Sequence, residues 1–168
     1  ELVYSWCKRG WGVRFFNRDP SNFTLQIERR GSSAPWYCYD LECDMRALSP
    51  SARCLLMVEH LLQKAVKSYG KADHKNRICI IRFEDLCLDP DLQISKLEKF
   101  LQREATEKTS MKLSKANLPR TREKQEVQNK LGELKRELPK RMYERLELLQ
   151  AEYFTDLFGL DDGGQVFV

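Results

Sequence analysis

The 168-residue chain contains no apolar run approaching the roughly 18–20 residues of a membrane helix, so no segment is expected to cross a bilayer. It has no C-x-x-C pair, and its six cysteines (Cys7, Cys38, Cys43, Cys54, Cys79, Cys87) are accompanied only by His60 and His74. Structural zinc sites use closely spaced thiolate and imidazole pairs, so no metal is expected. Glycine and proline are scarce, at 8 and 6 residues, which excludes collagen and a low-complexity linker. There is no glycine-rich phosphate loop, because Gly10-Trp11-Gly12 lacks both the spacing and the helix of such a loop. Charge of one sign is also lacking: Lys+Arg 29 against Asp+Glu 25 leaves a net charge of +4. That mild excess permits an anionic ligand, and no nucleic-acid partner is expected. At 42% hydrophobic residues the chain is too apolar for disorder, and its length fits one compact domain.

The chain opens with Glu1 inside an aromatic, apolar stretch, with neither an initiating Met nor a signal sequence. It reads as a piece of a longer protein, with any targeting signal or anchor lying upstream. Asn22-Phe23-Thr24 is an N-glycosylation acceptor triplet and points to a secretory-pathway lumen, where disulfides can form. Cys79, inside an apolar run, reads instead as a buried free thiol.

Asp19-Pro20-Ser21-Asn22 reads as a turn, residues 31–35 as a small-residue loop, and residues 36–48 as a first helix. Ser49-Pro50 is an N-cap with proline at the first helical position. Leu55, Val58, Leu62, Val66 and Tyr69 then repeat at helical spacing up to Gly70. Ile78-Cys79-Ile80-Ile81 is short, continuously apolar and β-branched, the pattern of a central strand buried on both faces of a parallel sheet. Asp89-Pro90 opens a helix over 90–102 with Ile94, Leu97 and Leu101 on one stripe and Phe100 beside them. Residues 102–119 are polar and without clear period. Leu138-Pro139 opens a last helix, with Met142, Leu146, Leu149, Tyr153 and Leu157 facing a core and Gly159 ending it. Residues 161–168 read as a frayed tail. Helices alternating with a buried strand give an α/β, helix-rich fold class.

The stretch from Arg77 to Pro90 carries the densest chemistry: an apolar strand whose end delivers Arg82, Phe83, Glu84 and Asp85, followed by a capped helix. Ligands of open α/β sheets collect at the carboxyl ends of strands. The same two acids can equally do no more than satisfy turn and helix-start amides.

Ile-Ile-Arg82-Phe83-Glu84-Asp85-Leu86, then Asp89-Pro90, then Leu97-Glu98-Lys99-Phe100-Leu101, resembles the strand-and-helix signature of sulfotransferases. In that family an apolar strand ends in Arg-Tyr-Glu-Asp-Leu, and the next helix begins at Asp-Pro and ends in Phe-Leu. Phe83 keeps the ring of the usual Tyr and loses its hydroxyl. The resemblance implies the C-terminal part of a P-loop-like parallel-sheet fold, occupying residues 1–160. It also implies a sulfuryl donor, 3′-phosphoadenosine 5′-phosphosulfate, with Phe83 near the adenine.

Sulfotransferases carry Arg-x-Pro-Arg-x-x-x-x-Ser after a central strand, and its Arg and Ser bind the donor's 3′-phosphate. Glu1-Leu2-Val3-Tyr4-Ser5 is similar to the end of that motif, which makes Ser5 the candidate phosphate ligand. Arg18-Asp19-Pro20 is a rival, but Gln26 stands where the motif needs Ser, and no apolar strand precedes it. A second set of phosphate contacts, before the last helix of the family, matches Arg120-Thr121-Arg122. Two guanidiniums flanking a hydroxyl suit a phosphate, although the stretch also reads as a solvated basic run.

Cys43-Asp44-Met45-Arg46, the sequon and the wording Arg-Phe-Glu-Asp-Leu-Cys are similar to the Golgi carbohydrate group of the family. That implies a glycan acceptor and a Golgi-lumenal, type II membrane location with the anchor upstream. Trp36, Tyr37, Trp11 and Phe15 then either stack on sugar faces or belong to the core. The family's 5′-phosphosulfate loop falls upstream of Ser5, as does its usual acid/base residue, so no catalytic residue is assigned. Residues 1–168 alone are accordingly expected to transfer no sulfate, to bind nucleotide weakly and to aggregate. A reading from another class is a non-catalytic interaction module built on the charged, Leu-bearing helices of residues 123–157.

Overall fold

The computed structural model describes residues 1–14, 25–29, 32–41, 43–121 and 124–155. Along the chain these form α1 (Leu2–Lys8), α2 (Trp11–Arg14), β1 (Gln26–Arg29), β2 (Ser32–Pro35), α3 (Pro50–Gly70), α4 (Phe83–Leu88), α5 (Pro90–Leu101), α6 (Glu107–Lys115), α7 (Lys124–Glu137) and α8 (Lys140–Thr155). The elements divide between two compact units. The first holds the described residues of Glu1–Lys71 and Gln128–Phe158, the second those of Ala72–Val127.

Helix α3 organises the first unit. Ser49 caps it, its Oγ accepting the Ala52 N–H at 3.3 Å, and Pro50 supplies the fixed φ of the first turn, as the sequence predicts. The 3–4 spacing places Leu55 and Val58 in one core with Val3, Leu134, Leu138, Leu146 and Leu149. The unbroken run Cys54-Leu55-Leu56-Met57-Val58 does more than a stripe can. Its other members, Cys54, Leu56 and Met57, fill a second cluster with Tyr37, Cys38 and Met45. Helices α1 and α2 lie against α3, joined through Gly10, whose φ of +68° needs a residue without Cβ. A half-buried ion pair also ties α8 to α3: Arg145 Nε lies 2.5 Å from Glu59 Oε2.

The structure corrects four expectations. Residues 36–48 are not one helix but two 3₁₀ turns, Trp36–Cys38 and Met45–Ala47. The Asp44 side chain accepts the Arg46 N–H at 3.0 Å, a local bond that competes with helix continuation. Residues 32–35 are not loop but β2, paired antiparallel with β1 in the register Gln26↔Pro35 to Arg29↔Ser32. The polar stretch after Gln102 contains α6, whose residues are exposed or half-buried and which therefore shows no core stripe in sequence.

The fourth correction concerns residues 78–81, which form neither strand nor helix. A parallel strand must exchange backbone bonds with neighbours, and among the described residues the sheet is only the β1–β2 hairpin. Ile78 is 41% exposed, and Cys79, Ile80 and Ile81 are half-buried rather than enclosed. The fold is thus helix-rich with a small sheet, and no parallel sheet lies among the described residues. Phe15, the Asp19–Asn22 turn, the sequon, Arg122, Leu157, Gly159 and the tail 161–168 lie outside the described residues.

In the second unit, Asp89 ends α4 and begins α5. Its N–H donates to Asp85 O at 2.8 Å, and its Oδ1 accepts the Leu92 N–H at 3.1 Å. Asp-Pro therefore acts as the helix boundary that the sequence indicates. Helix α5 stops at Gln102, which holds the left-handed conformation (φ 52°, ψ 42°) that a Cβ disfavours by about 1–2 kcal/mol. Gln102→Gly is expected to stabilise the protein by about 0.5–1 kcal/mol in a urea titration, the gain falling short of the strain because glycine loses more chain entropy on folding. A destabilised variant would place the Gln102 side chain in contacts that offset its backbone strain.

Candidate functional site

The candidate residues are divided between the two units. In the second, Arg82 precedes α4, and its Nε lies 2.7 Å from Asp85 Oδ2. Glu84 and Asp85 occupy the first turn of α4, where negative charge meets the positive end of the helix dipole. Asp85 therefore serves both as a first-turn acid and as the partner of Arg82. Phe83 is the first helical residue and is 60% exposed, with no core requirement to hold it there.

The basic loop meets this same helix. Arg120 N–H donates to Cys87 O at 2.7 Å, and Cys87 lies one turn beyond Phe83, about 6 Å along the axis. The structure thereby fastens the backbone of Arg120 to the helix that carries Phe83, two residues that the sequence marks in separate motifs. Leu113 O and Ser114 O take the N–H groups of Leu118 and Asn117, at 3.1 and 3.0 Å, so the loop leaves α6 by a hydrogen-bonded turn. Asn117 makes that turn with φ 52°, which its short amide tolerates better than most side chains. The exposed Arg120 guanidinium touches Ala116 O through Nη2 at 3.2 Å. That bond uses one of its five N–H donors, so the group can still grip an anion. Thr121 follows, also exposed.

Ser5 belongs to the first unit. It is the fourth residue of α1, with its N–H given to Glu1 O at 2.9 Å and its carbonyl accepting Arg9 N–H at 3.0 Å. The backbone of Ser5 is thus committed to the helix, and the half-buried hydroxyl is the group that can meet a phosphate. Val3 and Cys7, one turn apart, hold the other side of α1 against the core.

A polar cluster that the sequence reading missed lies where α3 meets the Trp36–Cys38 turn. Asp40 Oδ1 is 2.7 Å from His60 Nε2 and 3.0 Å from Lys64 Nζ, which also donates to Tyr37 O at 2.6 Å. Burial works against the Asp40 carboxylate, but the bonds from Lys64 and His60 outweigh it and hold its pKa down at about 2. Lys64 lies 4.7 Å from the Tyr39 ring centroid, and Trp36 and Tyr39 both expose about half their surface. The signal was present in the i,i+4 pair His60/Lys64, but Asp40 arrives from a segment read as helix. Of the four aromatics considered for sugar stacking, Tyr37 is buried and Trp11 half-buried, so core packing claims the first. Burial drives the Tyr37 hydroxyl pKa upward.

Residues 56–158, more than half of the chain, match the family model described as Sulfotransferase domain. The chain belongs to the sulfotransferase family. That membership defines a transferase class and implies, in general, a donor of the 3′-phosphoadenosine 5′-phosphosulfate type. The matched region contains Phe83, Arg120, Thr121 and Arg122, and Ser5 precedes it. No curated protein matches the chain, and no solved structure does. No helix among the described residues is long and apolar enough to cross a membrane.

Proposed function

We propose that residues 1–160 are the C-terminal portion of a P-loop-like sulfotransferase domain. In this reading the protein moves a sulfuryl group from 3′-phosphoadenosine 5′-phosphosulfate to a carbohydrate hydroxyl in the Golgi lumen. The observation that carries the reading is the bond from Arg120 N–H to Cys87 O, 2.7 Å long, which fastens a basic loop to the helix that exposes Phe83. An exposed aromatic face and an exposed guanidinium on two elements joined by a backbone bond suit an adenosine bearing a phosphate. Phe83 packs on the adenine, and Arg120, with Thr121 and Arg122, holds the 3′-phosphate; Ser5, which the family motif marks, is a separate candidate for a phosphate contact. The chain's part in the transfer is then to position the donor and to balance its charge.

In the protein carrying the complete domain, Phe83→Ala is expected to weaken binding of 3′-phosphoadenosine 5′-phosphate by about 1–3 kcal/mol in calorimetry. Because Phe83 is mostly exposed, the fold should survive the change. Arg120→Ala should in addition narrow the preference for nucleotide with a 3′-phosphate over nucleotide without it. Unchanged affinity in a folded Phe83→Ala protein would remove α4 from the donor site.

A further inference from the structure

The segment from Trp36 to Asp40 leaves two aromatic rings outside both core clusters of the first unit. Trp36 and Tyr39 expose 54% and 51% of their surface, while Tyr37 and Cys38 between them are buried. Neither ring is loose. Trp36 N–H donates to Leu25 O at 2.8 Å, and its indole meets the Tyr37 ring edge-on, with centroids 5.7 Å apart. The Lys64 ammonium lies 4.7 Å from the Tyr39 centroid and holds that ring by its charge.

The polar groups next to Tyr39 have bonding capacity to spare. Asp40 Oδ1 takes both side-chain bonds, from His60 Nε2 at 2.7 Å and from Lys64 Nζ at 3.0 Å. An ionised carboxylate only accepts, so Nε2 carries the proton of the first bond. The Asp40 side chain is 45% exposed, and a carboxylate has about four lone-pair sites, so Oδ2 can still accept. Lys64, 33% exposed, directs two of its three N–H donors to Asp40 and to Tyr37 O. A further acceptor and a further donor therefore stand side by side, next to a ring held in place. A pyranose is the complement of that arrangement. It has an apolar C–H face that suits an aromatic ring, and neighbouring hydroxyls at its rim that both donate and accept.

We propose that Tyr39, Asp40 and Lys64 form a subsite for a neutral pyranose of the glycan acceptor, a role that rests on the transferase reading above. Tyr39 takes the apolar face of the sugar. Asp40 Oδ2 accepts from one hydroxyl, and the third N–H of Lys64 donates to its neighbour. Trp36, three residues earlier, offers a second ring to the next sugar of the chain. His60, with a side chain only 11% exposed, is a positioning residue whose bond fixes the Asp40 carboxylate. Charge makes the subsite selective. Asp40 already balances Lys64, and a carboxylate or sulfate on the ligand would meet Asp40 Oδ2 as a like charge.

The test is saturation-transfer NMR on the protein carrying the complete domain. Lactose, N-acetyllactosamine and chitobiose are the neutral probes, and a glucuronate-bearing hyaluronan disaccharide is the acidic one. At least one neutral probe is expected to bind, with saturation strongest on its ring C–H protons and the acidic probe weaker by about tenfold or more. Tyr39→Ala and Asp40→Ala should each weaken that binding by about tenfold, while Tyr39→Phe, which keeps the ring, stays within about threefold. All three variants should bind 3′-phosphoadenosine 5′-phosphate as the parent does, which a general loss of structure would not allow. Failure of every neutral probe to bind would overturn the proposal. So would full binding by Tyr39→Ala, or acidic and neutral probes bound alike. The transferase reading is judged separately, on nucleotide and through Phe83→Ala. A protein that binds nucleotide through Phe83 but no neutral sugar would sink this inference and leave that reading standing. Sugar bound through Tyr39, with nucleotide affinity indifferent to Phe83, would do the reverse.

Discussion

Gly12→Ala is expected to destabilise the protein by about 3–5 kcal/mol. A Cβ at this buried position would stand 2.1 Å from Pro50 O, 2.7 Å from Pro50 C and 2.9 Å from Pro50 Cα. All three are backbone atoms of the first residue of α3, where the ring fixes φ, so no flexible side chain can give way. Helix α2 must withdraw instead. Overpacking alone costs about 1–3 kcal/mol, and the withdrawal also stretches the 3.0 Å bond from the Arg53 guanidinium to Gly12 O, worth about 1.5–3 kcal/mol. Gly70→Ala is the matched control, since nothing lies within 4 Å of a Cβ there and alanine favours the helix by about 1 kcal/mol. Urea titrations of the two variants should therefore move in opposite directions. A Gly12 variant as stable as the parent would mean that α2 is not seated on α3.

How far these elements could be foreseen depends on whether their signal is local. Ser49-Pro50 and Asp89-Pro90 act within one helical turn, through a side-chain cap and a fixed φ, and the helices they open begin where the sequence places them. The stripe Met142, Leu146, Leu149 is likewise a property of one helix, with Leu146 and Leu149 buried and Leu148 65% exposed. The β1–β2 hairpin escaped because Ser32-Ser33-Ala34-Pro35 has no β-branched or alternating pattern, and its strand character comes from pairing. Residues 78–81 failed in the opposite sense. Their β-branched pattern is strong, yet strand formation depends on neighbours that no local pattern supplies.

The site divides along the same line. Arg82, Phe83, Glu84 and Asp85 were legible as a group because they are consecutive, and a consecutive motif survives the error of reading α4 as the end of a strand. Arg120 was legible only as a basic residue with two meanings, solvated or ligand-holding. What separates those meanings is a tertiary bond to Cys87, which no spacing announces. Asp40, His60 and Lys64 show the harder case. Two of them sit at i,i+4 on α3, but the carboxylate that joins them comes from the turn just after the 3₁₀ segment whose Tyr37 and Cys38 pack in the core.

Leu55→Ala is expected to cost about 3–5 kcal/mol, the upper part of the range for buried leucines. Leu55 has no exposed surface and belongs to the core that Val3 of α1, Leu134 of α7, and Leu146 and Leu149 of α8 complete. The contacts come from helices at both ends of the chain. For the hole to close, α1, α7 and α8 would each have to shift toward α3. The bonds between them resist that, including Tyr4 Oη to Glu133 Oε2 at 3.2 Å and the Arg145–Glu59 pair. Poor collapse leaves the cavity open, and an open cavity adds its own cost to the lost transfer energy. Leu148→Ala provides the contrast: same residue type, a helix of the same core, but mostly exposed, so its effect should stay within about 0.5 kcal/mol. Chemical denaturation of both variants measures the difference directly. If Leu55→Ala cost no more than Leu148→Ala, α3 would not be the centre of the first unit.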